Sequence, residues 1–307
     1  MPQLRREAVR VVVPATSANL GPAFDCAGLA LGVYDDLVAM VTDDAGVLVE
    51  VSGEGEGSLP LDEGHLVVQS MRSTFERMGV DVPGFVLRCI NAIPHGRGLG
   101  SSAAAIVGGI VLARALVADG RDLLTDDDVL QLALERESHP DNVAAALHGG
   151  FTVAWVDDDG RGDVTRMDPH PGIRPLVLVP SEELSTAKAR TVLPESVSLA
   201  DATSNIARAA LLVHAMTVDP SRLMAATTDR IHQQSRVTCY PASLALVSLL
   251  RESGVPAVIS GAGPSVLCFV DAMTAPAMAG IDTAEWIVRE VPVASAGARE
   301  VPLLPPA

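Results

Sequence analysis

Apolar residues along the chain fall into short alternating runs and longer runs with helical spacing. Ala8–Val13 alternates loosely and is rich in β-branched residues, which predicts a strand ending at Pro14. LVAMV and VLVEV, within 36–51, predict two more strands around a turn at Asp43–Gly46, and Phe85–Ile93 predicts another. Leu66–Met78 has helical spacing and stops at Gly79. Ser101–Ala118 reads as a buried helix. Thr125 before Asp126–Asp128 reads as an N-cap with an acidic first turn, opening a helix that runs towards Glu137.

The polar stretch DDDGRGD, within 157–168, marks a hairpin tip or a domain boundary. Beyond it, Leu176–Val179 predicts a strand, Ser198–Met216 a long helix, and Leu244–Leu250 the centre of another. VPAVIS and VLCFV flank a turn, GAGPS, as in a β-hairpin or a strand–loop–strand unit. The tail VPLLPPA reads as a loosely held terminus. Strands and helices intermix with neither a strict βαβ period nor an internal repeat, which favours an α+β fold.

Composition narrows the class. At 307 residues and 48% hydrophobic, the chain can build one large or two modest domains. A net charge of −16 sets it against a nucleic-acid backbone. The longest apolar stretch, Ala103–Ala118, is broken by Arg114 and is shorter than the ~20 residues a bilayer requires, so no membrane span is expected. The N-terminal segment lacks an uninterrupted apolar run with a cleavage site, so no secretory signal is expected. Cys26, Cys89, Cys239 and Cys268 are far apart without CxxC spacing, which suits reduced thiols in a cytoplasmic protein and gives no support to a zinc site.

The densest chemistry lies in Ile93-Pro94-His95-Gly96-Arg97-Gly98-Leu99-Gly100-Ser101-Ser102-Ala103-Ala104-Ala105. Glycines at alternate positions let the backbone bend close to a ligand. A helix then opens whose first N–H groups lack intrahelical partners and carry the positive end of its dipole, the physics of a phosphate site. No Gly-Lys-Ser/Thr follows, so this is not a Walker A loop, nor is it a dinucleotide fingerprint, which needs G-x-G-x-x-G with an acidic residue at the end of a later strand. The PxGxGLGSSAAA string resembles the phosphate loop of the GHMP kinases. On that resemblance, Pro94 to Ala104 bind ATP.

Further blocks resemble one branch of that family, the homoserine kinases. They are PATSANLGPAFD with Asn19 and Asp25, and ERESHPDNVAAALHGG with His139, Asp141 and Asn142. STAKAR follows with Thr186 and Arg190, then HQQSR with Arg236, and SGAGPS at 260–265. Ala23 and Ser138 stand where that branch usually has glycine. The resemblance covers residues 8–270 in family order. It implies a two-domain α+β GHMP fold, 1–160 and 161–307, with a ribosomal protein S5 domain 2-like first domain and a ferredoxin-like second. It also implies transfer of the γ-phosphoryl group of ATP to L-homoserine, and allows for a homodimer.

By the same resemblance Arg190 and Arg236 suit the substrate carboxylate and Asp25 its ammonium, while Asn19, His139, Asn142 and Thr186 orient its other polar atoms. Arginine's planar fork matches a carboxylate in a way lysine cannot. Ser102 and Glu137 are the expected Mg2+ ligands, with Ser101 and Glu135 as alternates. Asn142 and Asp141 are the catalytic candidates, although the family is thought to lack a dedicated base and Asp141 is the residue to test as an exception. The adenine pocket is expected near His65–Val68, and SGAGPS is expected to brace the phosphate loop. The competing readings are another GHMP kinase, acting on a sugar, mevalonate or an isoprenoid precursor, and a non-catalytic regulator of the same fold.

Overall fold

The computed structural model describes residues 2–81 and 84–303 of the chain. The first strand, β1 (Val9–Ala18), continues past Pro14 because the proline sits where the register with its neighbour shifts, between Pro14 and Ala15. A bulge tolerates a residue that cannot donate to the ladder. β2 (Ala27–Thr42) pairs antiparallel with β1, and the turn at 43–46 leads to β3 (Val47–Gly53). β3 does not fold back on β2. It pairs in parallel with β4 (Gly84–Asn91), and α1 (Leu66–Arg77) makes the crossover that a parallel pair requires.

The phosphate-loop helix α2 (Ser101–Ala115) is buried on nearly all sides from Ala103 to Arg114, as its apolar composition demands. After the single turn α3 (Gly120–Leu123) comes α4 (Asp126–Leu134), opened by a capping box between Thr125 and Asp128. It stops short of Glu137, which lies instead in the loop before α5 (Pro140–His148). β5 (Phe151–Val156) and β6 (Gly162–Met167) form an antiparallel hairpin whose tip is the Asp-rich stretch. The division expected at residue 160 therefore falls at a hairpin tip. β6 bonds β5 along its whole length, so the first sheet keeps the chain through Met167.

The second unit contains β7 (Pro175–Val179), α6 (Thr186–Arg190), α7 (Leu199–Thr217), α8 (Leu223–Ala226) and α9 (Pro241–Glu252). It is completed by the hairpin β8 (Ala257–Ile259) and β9 (Val266–Phe269), then α10 (Ala275–Ala279) and β10 (Ile287–Glu290). Its four strands lie in the order β10-β7-β9-β8, all antiparallel, which is the ferredoxin-like βαββαβ arrangement. The central strands are buried on both faces. Val177 and Leu267 join the core that includes Leu212 and Met216 of α7, while Leu178 and Cys268 face Leu246 and Leu250 of α9. This explains why these strands read as continuous apolar runs.

The chain then returns to the first unit. β11 (Arg299–Val301) pairs with β1, so Val301 of the expected loose tail belongs to a strand, while 304–307 lie outside the described residues. Together these elements make a seven-stranded sheet and a four-stranded one. Among the described residues no helix is long and apolar enough to cross a membrane.

The seating of α2 against α1 depends on glycine. A Cβ at Gly109 would lie 2.7 Å from both Ser70 Cβ and the Val67 carbonyl oxygen. Gly109→Val is expected to lower stability by about 1–3 kcal/mol, the usual cost of overpacking. Urea unfolding with an unchanged slope checks it.

Candidate active site

Gly96, Gly98 and Gly100 all adopt left-handed φ, at 63°, 70° and 71°. Two of them also sit where no side chain fits. A Cβ at Gly98 would lie 2.2 Å from the Ser260 carbonyl oxygen, and one at Gly100 would lie 1.9 Å from Thr16 Oγ1. Gly100 begins α2 without a side-chain cap, and Ser101, Ser102 and Ala103 of the first turn border a cleft of about 190 Å3.

The loop is braced from behind by the C-terminal glycine motif, as the sequence suggested. Ser260 Oγ donates to the Gly98 carbonyl at 2.7 Å, the Ser265 N–H to Arg97 at 3.3 Å, and the Gly261 N–H to Ala18 at 3.1 Å. Arg97 points towards the second unit rather than the cleft. Its guanidinium donates to the carbonyls of Pro180 (3.0 Å) and Ser181 (2.6 Å) and pairs with Glu183. Pro94 borders a small apolar gap with Val177 and Val179, while His95 and Ala104 line a neighbouring cavity.

The other expected site residues converge on the same cleft. Asn19, Asp25, Glu137, His139, Asp141 and Asn142 line one side of it, and Thr186, Arg190 and Arg236 the other. The Asn19 turn is held in left-handed conformation at Asn19, Leu20 and Asp25. Asn19 Oδ1 accepts from the Asp25 N–H at 2.9 Å, and its Nδ2 donates to the Gly261 carbonyl at 2.9 Å, so this side chain ties the two units together.

Asp25 receives Arg190 in a two-pronged contact at 2.7 and 3.1 Å, with His139 Nε2 at 3.9 Å. Arg236 is only 1% exposed. Its Nε donates to the Ala189 carbonyl at 2.9 Å, and its Nη1 lies 3.2 Å from His232 Nδ1. Among the described residues no carboxylate forms an ion pair with it. Both guanidinium groups lie over the Phe24 ring, at 5.3 Å for Arg236 and 5.5 Å for Arg190, which favours two like charges near one aromatic face.

Around the start of α5, His139 takes the N-cap position and Pro140 the first helical one. Asp141 is 2% exposed, and its Oδ1 accepts from the Asn142 N–H at 2.7 Å. Burial, reinforced by the charge of Asp25, pushes its carboxyl up to about 7. Asn142 Oδ1 accepts from Thr16 Oγ1 at 2.7 Å, linking the start of α5 to the strand beneath the phosphate loop. Thr186 is exposed at the start of α6.

The two glutamates lie in different surroundings. Glu137 borders the cleft and contacts His139 Nδ1 at 3.3 Å, while Glu135 pairs with Arg77 on the surface. Among the described residues no three His, Cys, Asp or Glu side chains form a metal cage. A carboxylate and a hydroxyl on one cleft wall still suit Mg2+, which takes few protein oxygens and fills its shell with water and phosphate.

A second cavity, of about 270 Å3, opens on the other side of Ser101 and Ser102. Leu37, Leu59, Pro60 and Val67 give it apolar walls, and His65, the N-cap of α1, borders it. His65 Nδ1 accepts from the Val67 N–H, which leaves the proton on Nε2, and that buried nitrogen has no partner among the described residues. Phe24 and His232 received no role from the sequence, whereas His65 falls in the stretch expected to border the adenine pocket. Single aromatic residues carry no spacing signal; only the HQQSR and PAFD strings around Phe24 and His232 marked the neighbourhood.

The GHMP kinases N terminal domain model matches residues 65–150 and the GHMP kinases C terminal model residues 212–280. With the glycine-rich anion site and the two sheets on either side of it, the chain belongs to the GHMP kinases. The homoserine kinase of Streptomyces coelicolor is 50% identical over 302 residues, 98% of this chain and 97% of that protein. The homoserine kinase of Clavibacter michiganensis is 52% identical over 259 residues, covering 84% of this chain and 81% of its own. The crystal structure of a Cytophaga hutchinsonii homoserine kinase superposes with a TM-score of 0.82 at 26% identity, over 97% of this chain and 99% of that one. Within the GHMP kinases, this chain is a member of the homoserine kinase family.

The Asp141 environment makes a test of its own. A carboxyl raised in the fold holds its proton to higher pH than in the unfolded chain, so its burial is harmless at pH 4 and costs stability as the pH climbs towards about 7. Asp141→Asn keeps the oxygen that faces Asn142 and cannot ionise. Denaturation as a function of pH is expected to show the variant gaining on the wild type between pH about 4 and 7. A constant difference across that range contradicts the assignment.

Proposed function

We propose that this chain transfers the γ-phosphoryl group of ATP to the side-chain hydroxyl of L-homoserine, yielding O-phospho-L-homoserine for threonine biosynthesis. Half-identity to homoserine kinases across nearly the whole chain supports the acceptor. The structural observation that carries the reading is Arg236, a cation buried in the cleft wall without an ion-pair partner among the described residues. Such a group is costly unless an anion completes it, and the carboxylate of an amino-acid substrate does so. The substrate ammonium replaces Arg190 at Asp25, which frees Arg190 to join Arg236 on the carboxylate.

The hydroxyl then faces the start of α2, where the backbone N–H groups of Ser101 to Ala103 hold the phosphates. The base lies in the apolar cavity beside His65, whose Nε2–H is its donor. Ser102 and Glu137 would hold magnesium, which when bound would neutralise charge on the phosphate oxygens. Phosphoryl transfer depends mainly on alignment and charge stabilisation, and here Asn142, Thr16 and His139 supply alignment. Asp141 lies buried at the start of α5, where burial disfavours its charged form. Cys26, Cys89, Cys239 and Cys268 are unpaired, in keeping with a cytoplasmic enzyme.

A coupled assay with L-homoserine, L-threonine, mevalonate and galactose tests the acceptor; preference for anything but homoserine overturns it. Arg236→Ala is expected to raise the KM for homoserine about 100-fold, the scale of a charge-assisted contact, with the KM for ATP within about twofold. Glu137→Gln is expected to raise the Mg2+ concentration needed for half-maximal rate. An unchanged requirement moves the metal elsewhere.

A further inference from the structure

The orientation of Arg236 depends on one buried side chain that the mechanism above does not use. His232 is 0% exposed and its two ring nitrogens face opposite kinds of partner. Nε2 lies 2.7 Å from the Gly21 carbonyl oxygen, which can only accept, so Nε2 carries the proton. Nδ1 lies 3.2 Å from Arg236 Nη1, which can only donate, so Nδ1 accepts. Both contacts select the same neutral tautomer. Burial also holds the imidazole below its usual range, against the pull of Asp229 and Asp25.

We propose that His232 is a positioning residue for substrate recognition: as the neutral Nε2–H tautomer it ties the Arg236 guanidinium to the Gly21 turn and so aims it at the substrate carboxylate. The inference rests on the homoserine reading and extends it to a residue that does not border the cleft.

Nε2 also lies 3.7 Å from Asp229 Oδ2, and the segment that carries the ring is itself anchored. Asp229 Oδ2 accepts from the His232 and Gln233 N–H groups at 3.1 and 2.8 Å, and its Oδ1 accepts from Ile231 at 2.9 Å and from Asn205 Nδ2 at 2.8 Å. Gln233 Oε1 accepts from the Ile259 N–H at 2.7 Å, anchoring the same loop to β8. The Gly21 carbonyl is equally constrained, since Gly21 has φ +90° and its Cα packs so closely on Thr227 that a Cβ would lie 2.5 Å from that carbonyl oxygen. Phe24 stacks on the His232 ring at 4.8 Å between centroids and underlies both guanidinium groups. Arg236 thus takes its direction from the Ala189 carbonyl at one edge and a fixed, uncharged acceptor at another.

The test is steady-state kinetics with ATP and L-homoserine on His232→Leu and His232→Asn, each alone and with Arg236→Ala. Asparagine places an acceptor oxygen where Nδ1 stands; leucine does not. His232→Leu is expected to raise the KM for homoserine about tenfold, with the KM for ATP within about twofold, and His232→Asn to stay within about threefold of the wild type. On the Arg236→Ala background, His232→Leu is expected to add less than about twofold, since its effect runs through that arginine. If His232→Leu does not fold, His232→Gln takes its place with the same expected rise, as it reaches Gly21 but offers no acceptor at the Nδ1 position. Parallel rises in both KM values, equal effects of Leu and Asn, or the full effect persisting without Arg236 overturn the proposal. A wild-type enzyme that ignores homoserine overturns the substrate reading itself, which separates the two failures.

Discussion

A guanidinium taken out of water without a carboxylate beside it is costly, and this chain places one at Arg236. The surroundings moderate that cost without neutralising it. A carbonyl oxygen, a neutral imidazole, the Tyr240 hydroxyl and a phenyl face receive the cation, and each contributes partial charge only. The site is therefore short of one anion, and it lies beside a helix N-terminus that attracts another. Two anion-seeking features face one cleft, and on the proposed reading one takes the carboxylate of the acceptor and the other the phosphates of ATP. The Asp25–Arg190 pair fits the same logic, because a zwitterion brings both an ammonium and a carboxylate to exchange with the two halves of that pair.

The two units are locked together where the chemistry happens. Gly98 abuts the Ser260 carbonyl, Asn19 reaches Gly261, and Arg97 grips the segment that leads from β7 to α6. None of these contacts needs to touch a ligand. They hold the glycine-rich loop and the segments carrying the two arginines in one frame, the kind of fixed geometry that phosphoryl transfer depends on.

Much of this was legible in the residues. The helical spacing of Leu66–Met78, the capping signal at Thr125 and the glycine string before Ser101 each reflect local physics, and each has its counterpart in the fold. The hidden features depend on distant parts of the chain. Strand β1 runs through Pro14 only because its neighbour allows a bulge, and β3 pairs with β4 rather than β2. In the site, motif strings marked residues most of which line one cleft, but not their partners. That Glu137 faces inwards while Glu135 pairs with Arg77 depends on where α4 ends. The roles of Phe24 and His232 arise only when the first loop meets the HQQSR segment in space.

The most direct test of the central claim is a crystal structure of the protein with L-homoserine and a non-hydrolysable ATP analogue. The account predicts the substrate carboxylate against Arg236 and Arg190, its ammonium on Asp25, and its hydroxyl directed at the terminal phosphate above Ser101. An intact Asp25–Arg190 pair, with the carboxylate bound elsewhere and Arg236 still lacking an anion, contradicts it.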